Sequence, residues 1–138
     1  MHSESTDMAH ILEHCRTVAV VGLSPKPHRD SYAVSRYMQA QGWRIVPINP
    51  NASSILGETA YPSLTEAAQH HRIELVNVFR NSVDVPPVVD EAIAIGAQAV
   101  WLQKGVVHDI ATQKARDAGL RVVQNRCLMV EHGNPRPS

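Results

Sequence analysis

The chain has 138 residues, of which 43% are hydrophobic and 19% are charged. This length and composition predict one globular domain with a buried core, and they argue against a disordered or fibrous protein. Lys plus Arg and Asp plus Glu number 13 each, so no overall charge draws the chain to nucleic acid or to an anionic membrane. An anionic ligand would have to be bound by a local site.

The first ten residues are polar and contain neither a basic start nor an apolar run, so a signal peptide is not expected. The longest apolar stretches are only a few residues long, which is too short for a membrane span. The two cysteines, Cys15 and Cys127, do not form the pattern of a secreted disulfide framework. We therefore expect a cytoplasmic protein, monomeric or weakly homo-oligomeric, with no nucleic-acid or membrane partner.

The first predicted unit is an amphipathic segment over residues 8–15, a buried strand over residues 17–21, and a helix that ends before residue 42. The loop between strand and helix begins at Gly22, which permits a tight turn. The loop brings hydroxyls and cations to the start of the helix, where the helix dipole favours an anion. These residues are Ser24, Lys26, Arg29 and Ser31. The loop predicts a phosphate site, although a solvated basic connection would have the same composition.

The second predicted unit is a strand over residues 44–48, stopped by Asn49 and Pro50, and a long loop to a short helix over residues 63–71. A dinucleotide-binding domain would carry an acidic residue at this strand end and three glycines in the first loop. This chain has Asn49 and one glycine at those places, so a nicotinamide cofactor fits poorly. No Walker A sequence occurs, which disfavours nucleotide hydrolysis.

The third and fourth strands are predicted over residues 73–79 and 99–102, with a helix over residues 86–96 between them. At the first of these strand ends, an aromatic ring beside a guanidinium suits an adenine ring flanked by phosphate, although Phe79 is equally explained as core. At the second, a glycine allows close approach of the backbone and a glutamine offers hydrogen bonds. The candidate residues at these two ends are Phe79, Arg80, Asn81, Val85, Gln103, Lys104 and Gly105.

The last predicted unit is a helix over residues 108–118, a strand over residues 120–123, and a final turn that begins at Cys127. A cysteine at a helix start can be reactive, but a small buried residue is the commoner explanation, and no companion motif of histidine and acid is present. We expect no two of the histidines to lie at the sequence spacing of metal ligands. We therefore expect no metal, because even a catalytic zinc site needs three protein ligands.

Apolar strands that alternate with helices predict an α/β fold of the Rossmann-like, doubly wound type, with a parallel five-stranded sheet and helices on both faces. The chain is expected to form a single domain over residues 1–138. Its ordered core is predicted over about residues 8–132, between a polar N-terminus and a Pro-rich C-terminal tail. In such a sheet the ligand site lies beyond the carboxyl ends of the strands.

Taken together, the strand ends resemble the small CoA-binding protein family, which is similar to the CoA-binding domain of the succinyl-CoA synthetase α subunit. The resemblance covers roughly residues 11–132 and rests on six short sequences in the same order. These are Val20-Val21-Gly22-Leu23-Ser24 with Pro27, Arg29, Ser31 and Tyr32; Pro47-Ile48-Asn49-Pro50; Ile55-Leu56-Gly57; Val78-Phe79-Arg80; Trp101-Leu102-Gln103-Lys104-Gly105; and Arg126-Cys127.

The resemblance implies a non-catalytic module that holds coenzyme A, or an acyl-CoA, through its phosphorylated adenosine end. It implies that the first loop lies near the phosphates, residues 79–85 near the adenine, and the fourth-strand end near the pantetheine. The chain departs from the family pattern at Asn125, where the family more often has Asp. This difference argues against a role for an acidic group at this position. The synthetase's phosphorylated histidine belongs to a separate domain, so synthesis of acyl-CoA is not expected. Two alternatives stay open: a thiol or acyl-transfer enzyme that uses Cys127, and a binding module for another adenine nucleotide such as NAD or NADP.

Overall fold

A five-stranded parallel sheet forms the centre of the protein in the computed structural model, which describes residues 3–134. The strands of this sheet lie in the order β2-β1-β5-β6-β7, and all neighbouring pairs are parallel. Their bounds are β1 Thr17–Val21, β2 Arg44–Ile48, β5 Leu75–Val78, β6 Ala99–Leu102 and β7 Arg121–Val123. The predicted Rossmann-like α/β fold is thereby confirmed.

Six helices accompany the sheet within residues 3–134. Their bounds are α1 Glu4–His14, α2 Asp30–Ala40, α3 Leu64–Ala67, α4 Val85–Ala94, α5 Asp109–Asp117 and α6 Leu128–Gly133. A single 3₁₀ turn, Ser82–Asp84, precedes α4. No helix in this part of the chain combines the length and apolarity that crossing a membrane requires.

The sheet separates two hydrophobic cores because successive strand side chains point to opposite faces. Val18 and Val20 of β1 pack in the core formed with α1, α2 and α6, whereas Ala19 and Val21 pack in the core formed with α3, α4 and α5. Both faces are therefore covered, which explains why the strands are apolar runs without alternation. Trp101 of β6 is fully buried, as expected for a core residue.

The edge strand β7 is covered by carboxylates of α1. The buried Asp7 accepts a hydrogen bond from the backbone N–H of Val122 at 3.1 Å and forms an ion pair with Arg121 at 3.2 Å. Glu4 accepts one from the N–H of Gln124 at 3.3 Å. The helix thus satisfies donors that a free edge would present to other chains.

The structure contains one element that the sequence does not predict, and it differs from the prediction at the ends of several others. The unpredicted element is a small antiparallel hairpin in the loop after β2, formed by β3 Ser54–Ile55 and β4 Glu58–Thr59. The predicted helix over residues 63–71 is regular only over α3, because the chain turns after Ala67 with the N–H groups of His70 and His71 both donating to the Ala67 carbonyl. The third strand is shorter than residues 73–79, and the first helix begins before Met8, at Glu4. Residues 1–2 and most of the Pro-rich tail lie outside the described residues.

Candidate ligand-binding site

The carboxyl ends of β1 and β5 are neighbours, and they mark the point where the strand order reverses. From β1 the chain crosses to β2 on one side, and it later returns to β5 on the other side. In open α/β sheets such a reversal leaves a crevice between the two connections, and ligands bind there. The structure therefore brings the end of β1, with Gly22, beside the end of β5, with Phe79.

Gly22 lies in close contact with the backbone of Phe79. Its φ is +87°, and a Cβ atom placed on it would lie 3.2 Å from the Phe79 carbonyl carbon and far inside contact distance of the carbonyl oxygen. A residue with a side chain would therefore be both strained and in collision with a backbone that cannot rotate away. Glycine at this position therefore allows the backbone of the first loop to pass in direct contact with the end of β5.

The first loop is held by its own hydroxyl groups. Ser31 Oγ accepts a hydrogen bond from the N–H of Ser24 at 3.0 Å, and Ser24 Oγ accepts one from the N–H of Lys26 at 3.1 Å. Arg29 is the N-cap residue of α2, but its side chain does not cap the helix. Within residues 3–134 the backbone N–H groups of Asp30 and Ser31 have no protein acceptor, so they remain available to an anion.

A cavity of about 600 Å³ lies directly over this loop. We call it the first-loop cavity. It is lined by Gly22, Ser24, Lys26, His28, Arg29, Asp30, Ser31 and Phe79. Five of the residues proposed from the first loop therefore line one cavity together with the start of α2.

A second cavity of about 690 Å³ adjoins the first, because Asp30 and Phe79 line both. We call it the strand-end cavity. The predicted residues Phe79, Arg80, Asn81, Gln103 and Lys104 line it, and so do residues that were not predicted. The latter are Asp30, Ala33, Val34, Asp84, Val106, Met129 and Val130, besides Cys127. Its volume is within the usual range for small-molecule sites, roughly 300–1,000 Å³.

The four cations that line the two cavities have no ion pair within the described residues. Lys26 and Arg29 border the first-loop cavity, and Arg80 and Lys104 border the strand-end cavity. All four are exposed, whereas Arg121 and Arg126 elsewhere are engaged by carboxylates. The carboxylates of Asp30 and Asp84 also line these cavities, so an excess of cations remains only in the first-loop cavity, where it favours binding of an anion.

Seven other predicted residues line neither cavity. Leu23 and Val85 are fully buried in the two cores. Asn49 has a structural role, because its Nδ2 donates to the Leu23 carbonyl at 3.0 Å and its Oδ1 accepts from the N–H of Asn51 at 2.8 Å. Pro27, Tyr32, Pro50 and Gly105 are close to cavity residues in sequence but do not line either cavity.

Asn125 joins the ends of β6 and β7. Its Oδ1 accepts a hydrogen bond from the N–H of Gly105 at 2.8 Å, and its φ is +59°, a conformation that Asn and Asp tolerate better than most residues. Either amide or carboxylate oxygen makes this bond, so the departure from Asp at this position preserves the structure.

The expectation that no histidines pair at metal-ligand spacing is wrong for one pair. His10 and His14 lie one turn apart on α1, with ring centroids 4.5 Å apart. Among the described residues, however, no group of three or more His, Cys, Asp or Glu side chains is placed to hold a metal ion.

Helix α6 forms one wall of the strand-end cavity and is fixed by contacts at both ends. The Leu128 N–H donates to Oε1 of the buried Gln103 at 3.3 Å, so this predicted ligand residue caps the helix. At the other end, the Tyr37 hydroxyl lies within hydrogen-bond distance of His132 Nδ1, at 2.9 Å. The His132 ring also packs edge-on against Trp43, whose face carries the Arg16 guanidinium. The wall therefore depends on a partly buried imidazole.

This contact predicts a loss of stability in acid. Burial, and secondarily Arg16, lower the pKa of His132 below its ordinary value of 6.5. The unfolded chain therefore binds a proton at this imidazole near pH 6.5, whereas the folded protein does so only at lower pH. The stability that is present above pH 6.5 is lost as the pH falls from 6.5 through the lower pKa of the folded protein. We expect His132→Gln to reduce the slope of unfolding free energy against pH, measured by urea denaturation between pH 7.5 and 5. His10 and His71, whose pKa values are also lowered by burial, remain in both proteins, so equal slopes would contradict the role of His132.

A family model described as "CoA binding domain" matches residues 16–133. The uncharacterized protein YneT of Bacillus subtilis is 38% identical over 126 residues, covering 91% of this chain and 92% of YneT. A hypothetical protein from Pyrococcus horikoshii has a solved structure with a TM-score of 0.87 and 37% identity, covering 95% of this chain and 90% of that one. A dinucleotide-forming acetyl-coenzyme A synthetase of Ca. Korarchaeum cryptofilum shares the fold, with a TM-score of 0.75 and 21% identity, covering 86% of this chain and 28% of the synthetase.

Proposed function

Because the chain belongs to the CoA binding domain family, we propose that it binds coenzyme A or an acyl-CoA through the phosphates of the nucleotide end, as a module without catalytic machinery of its own. The pyrophosphate would lie in the first-loop cavity, against the start of α2. The predicted placement of the adenine near residues 79–85, and of the pantetheine near the end of β6, belongs to this proposal.

One observation carries the proposal: the first-loop cavity combines free backbone donors with unpaired cations. The N–H groups of Asp30 and Ser31 are oriented by the helix, whose dipole favours negative charge at this end. Lys26 and Arg29 add two positive charges that no carboxylate of the described chain engages. A pyrophosphate carries two negative charges and several acceptor oxygens, so its chemistry matches this set of donors.

The role of Asn49 supports CoA over a nicotinamide dinucleotide. A dinucleotide domain holds the adenosine ribose with an acidic side chain at the end of its second strand. Here both polar atoms of Asn49 are engaged within the protein, one with Leu23 and one with Asn51. The residue fixes the first loop, and it lacks the carboxylate with which a dinucleotide domain holds the ribose hydroxyls.

The state of the cysteines supports a binding role over covalent catalysis. Burial raises the pKa of the Cys15 thiol to about 11, so this sulfur is protonated at neutral pH. Cys127 lines the strand-end cavity, but within the described residues its sulfur has no hydrogen bond to a base. Nucleophilic catalysis ordinarily requires such a base or a specific charge beside the thiol.

The proposal is tested by comparing ligands at equal concentration in thermal unfolding. We expect CoA to raise the melting temperature in a concentration-dependent manner, because a ligand that binds only the folded state stabilises it by mass action. NAD, NADP and ATP should give smaller shifts. Native mass spectrometry of the purified protein should in addition detect a co-purified CoA or acyl-CoA.

A larger shift with NADP than with CoA, or none with CoA up to millimolar concentration, would overturn the proposal. The Cys127→Ala variant serves as the control for the enzymatic alternative. If this variant binds CoA normally but loses an acyl-transfer or thiol-exchange activity that the natural protein has, the module is an enzyme.

A further inference from the structure

All four large apolar side chains that are exposed within residues 3–134 follow the carboxyl ends of β5, β6 and β7. They are Val83, Val107, Ile110 and Val130, with exposed fractions of 78%, 40%, 81% and 50%. The segments that carry them form the same edge of the sheet as the candidate site. An exposed apolar side chain at this edge that also borders the candidate site is available to be covered by a ligand.

Part of this apolar surface is continuous with the strand-end cavity. Val34 of α2, Val106 after β6 and Met129 of α6 line the cavity. Val130 lines it as well and is half exposed, so it lies at the mouth. We call these four residues the apolar strip.

The mouth of the strip is fixed by a hydrogen bond between two loops. The N–H of Val107 donates to Ser82 Oγ at 2.9 Å. This bond holds the loop after β6 against the 3₁₀ turn that carries Val83. The loop that carries the apolar side chains after β6 is thus already ordered in the protein without a ligand. Binding therefore does not have to offset the entropy cost of ordering this loop.

We propose that the strip is the binding site for the acyl chain of a medium-chain acyl-CoA, and that the physiological ligand is a thioester with an apolar, uncharged chain. This inference rests on the proposed function. With the phosphates in the first-loop cavity and the pantetheine near the end of β6, the thioester would lie in the strand-end cavity, whose lining includes Val106 and Met129. A chain attached there would extend over Val130 and remove its exposed methyl groups from water.

The test is a calorimetric titration with CoA, acetyl-CoA, butyryl-CoA, hexanoyl-CoA and succinyl-CoA, with mass spectrometry to verify that the thioesters are intact afterwards. We expect affinity to rise roughly twofold for each added methylene, about half the free energy of complete burial because the strip is open to solvent on one side. From acetyl-CoA to hexanoyl-CoA the dissociation constant should fall about tenfold or more.

Two variants locate the effect. Val130→Thr keeps the shape of the side chain and replaces a methyl by a hydroxyl, so the ratio of hexanoyl-CoA to CoA affinity should fall about threefold. Ile110→Thr is the control, because Ile110 is an exposed β-branched apolar residue at the same edge of the sheet that lines neither cavity, and the ratio should stay the same.

Three results would overturn the inference. Equal affinity for all thioesters while CoA still binds would refute the acyl site and leave the proposed function intact. Tighter binding of succinyl-CoA than of butyryl-CoA would assign the cavity to a charged acyl group held by Arg80 or Lys104. Absence of binding to CoA and to every thioester would refute the proposed function together with the inference.

Discussion

Replacement of Gly22 by alanine should lower the free energy of unfolding by about 3 kcal/mol or more, measured by urea denaturation. The left-handed backbone conformation alone costs an ordinary residue about 1–2 kcal/mol. The added Cβ also meets the carbonyl group of Phe79, and relief of this contact requires β1 and β5 to move apart at the centre of the sheet. Both terms have the same sign, so this is the largest effect of a single methyl group that we expect in the protein.

Gly42 provides the matched control for this experiment. Its φ is +90°, nearly that of Gly22, but a Cβ atom at Gly42 would have no other atom within 4 Å. Gly42→Ala should therefore show only the conformational cost, about 1 kcal/mol. Equal losses in the two variants would mean that the contact with Phe79 adds nothing and that the first loop is free to shift.

Simultaneous replacement of Lys26 and Arg29 by alanine should raise the dissociation constant for CoA about a hundredfold, and Arg29→Ala alone about tenfold or more. A hydrogen bond to a charged group contributes about 1.5–3 kcal/mol, and these two exposed cations lie at the low end of that range. Isothermal calorimetry at low and high salt measures both the loss and its origin. The residual affinity of the double variant should depend less on salt, because fewer charge pairs remain to be screened.

Arg36→Ala is the control for the double variant. Arg36 is an exposed arginine on the same helix, one to two turns after the first-loop cavity, and it lines neither cavity. Its replacement changes the net charge of the protein without removing a cation from the site. An unchanged dissociation constant in the double variant, or an equal loss in Arg36→Ala, would remove the first loop from the proposed phosphate site.

The sheet was predictable from the sequence because each strand is a short apolar run bounded by glycine, proline or asparagine. β1 and β2 lie at the predicted residues 17–21 and 44–48. The hairpin of β3 and β4 was missed for a physical reason. Its strands have two residues each, too few for a period to be visible, and its turn places the non-glycine Leu56 at a φ of +56°.

The polar half of the candidate site was more predictable than the apolar half. Gly22, Ser24, Arg29 and Ser31 follow one strand directly, so knowledge of a single strand end brings them together. The apolar strip draws on α2, the loop after β6 and α6, three segments far apart in sequence. Helical spacing places Val34 on the buried side of α2, but spacing alone does not show that this turn of the helix reaches a cavity.

Burial explains two of the seven predicted site residues that line no cavity. Leu23 and Val85 are adjacent in sequence to first-loop and strand-end residues, yet their apolar side chains turn into the two cores. Asn49 belongs to a short sequence that carries the family resemblance, and the fold uses its amide group to fix the backbone at Leu23. A polar residue at a strand end has two uses, ligand binding and loop closure, and sequence spacing does not distinguish them.

The attachment of α1 to β7 limits how early one edge of the sheet can be covered during synthesis of the chain. The bond between Asp7 and Val122 joins positions 115 residues apart, so α1 leaves the ribosome long before the strand that it covers has been translated. Until Val122 has been made, Met8 and Ile11 lack part of the surface against which they are finally buried. The edge of the sheet at β7 therefore closes only when the first helix of the described chain meets its last strand.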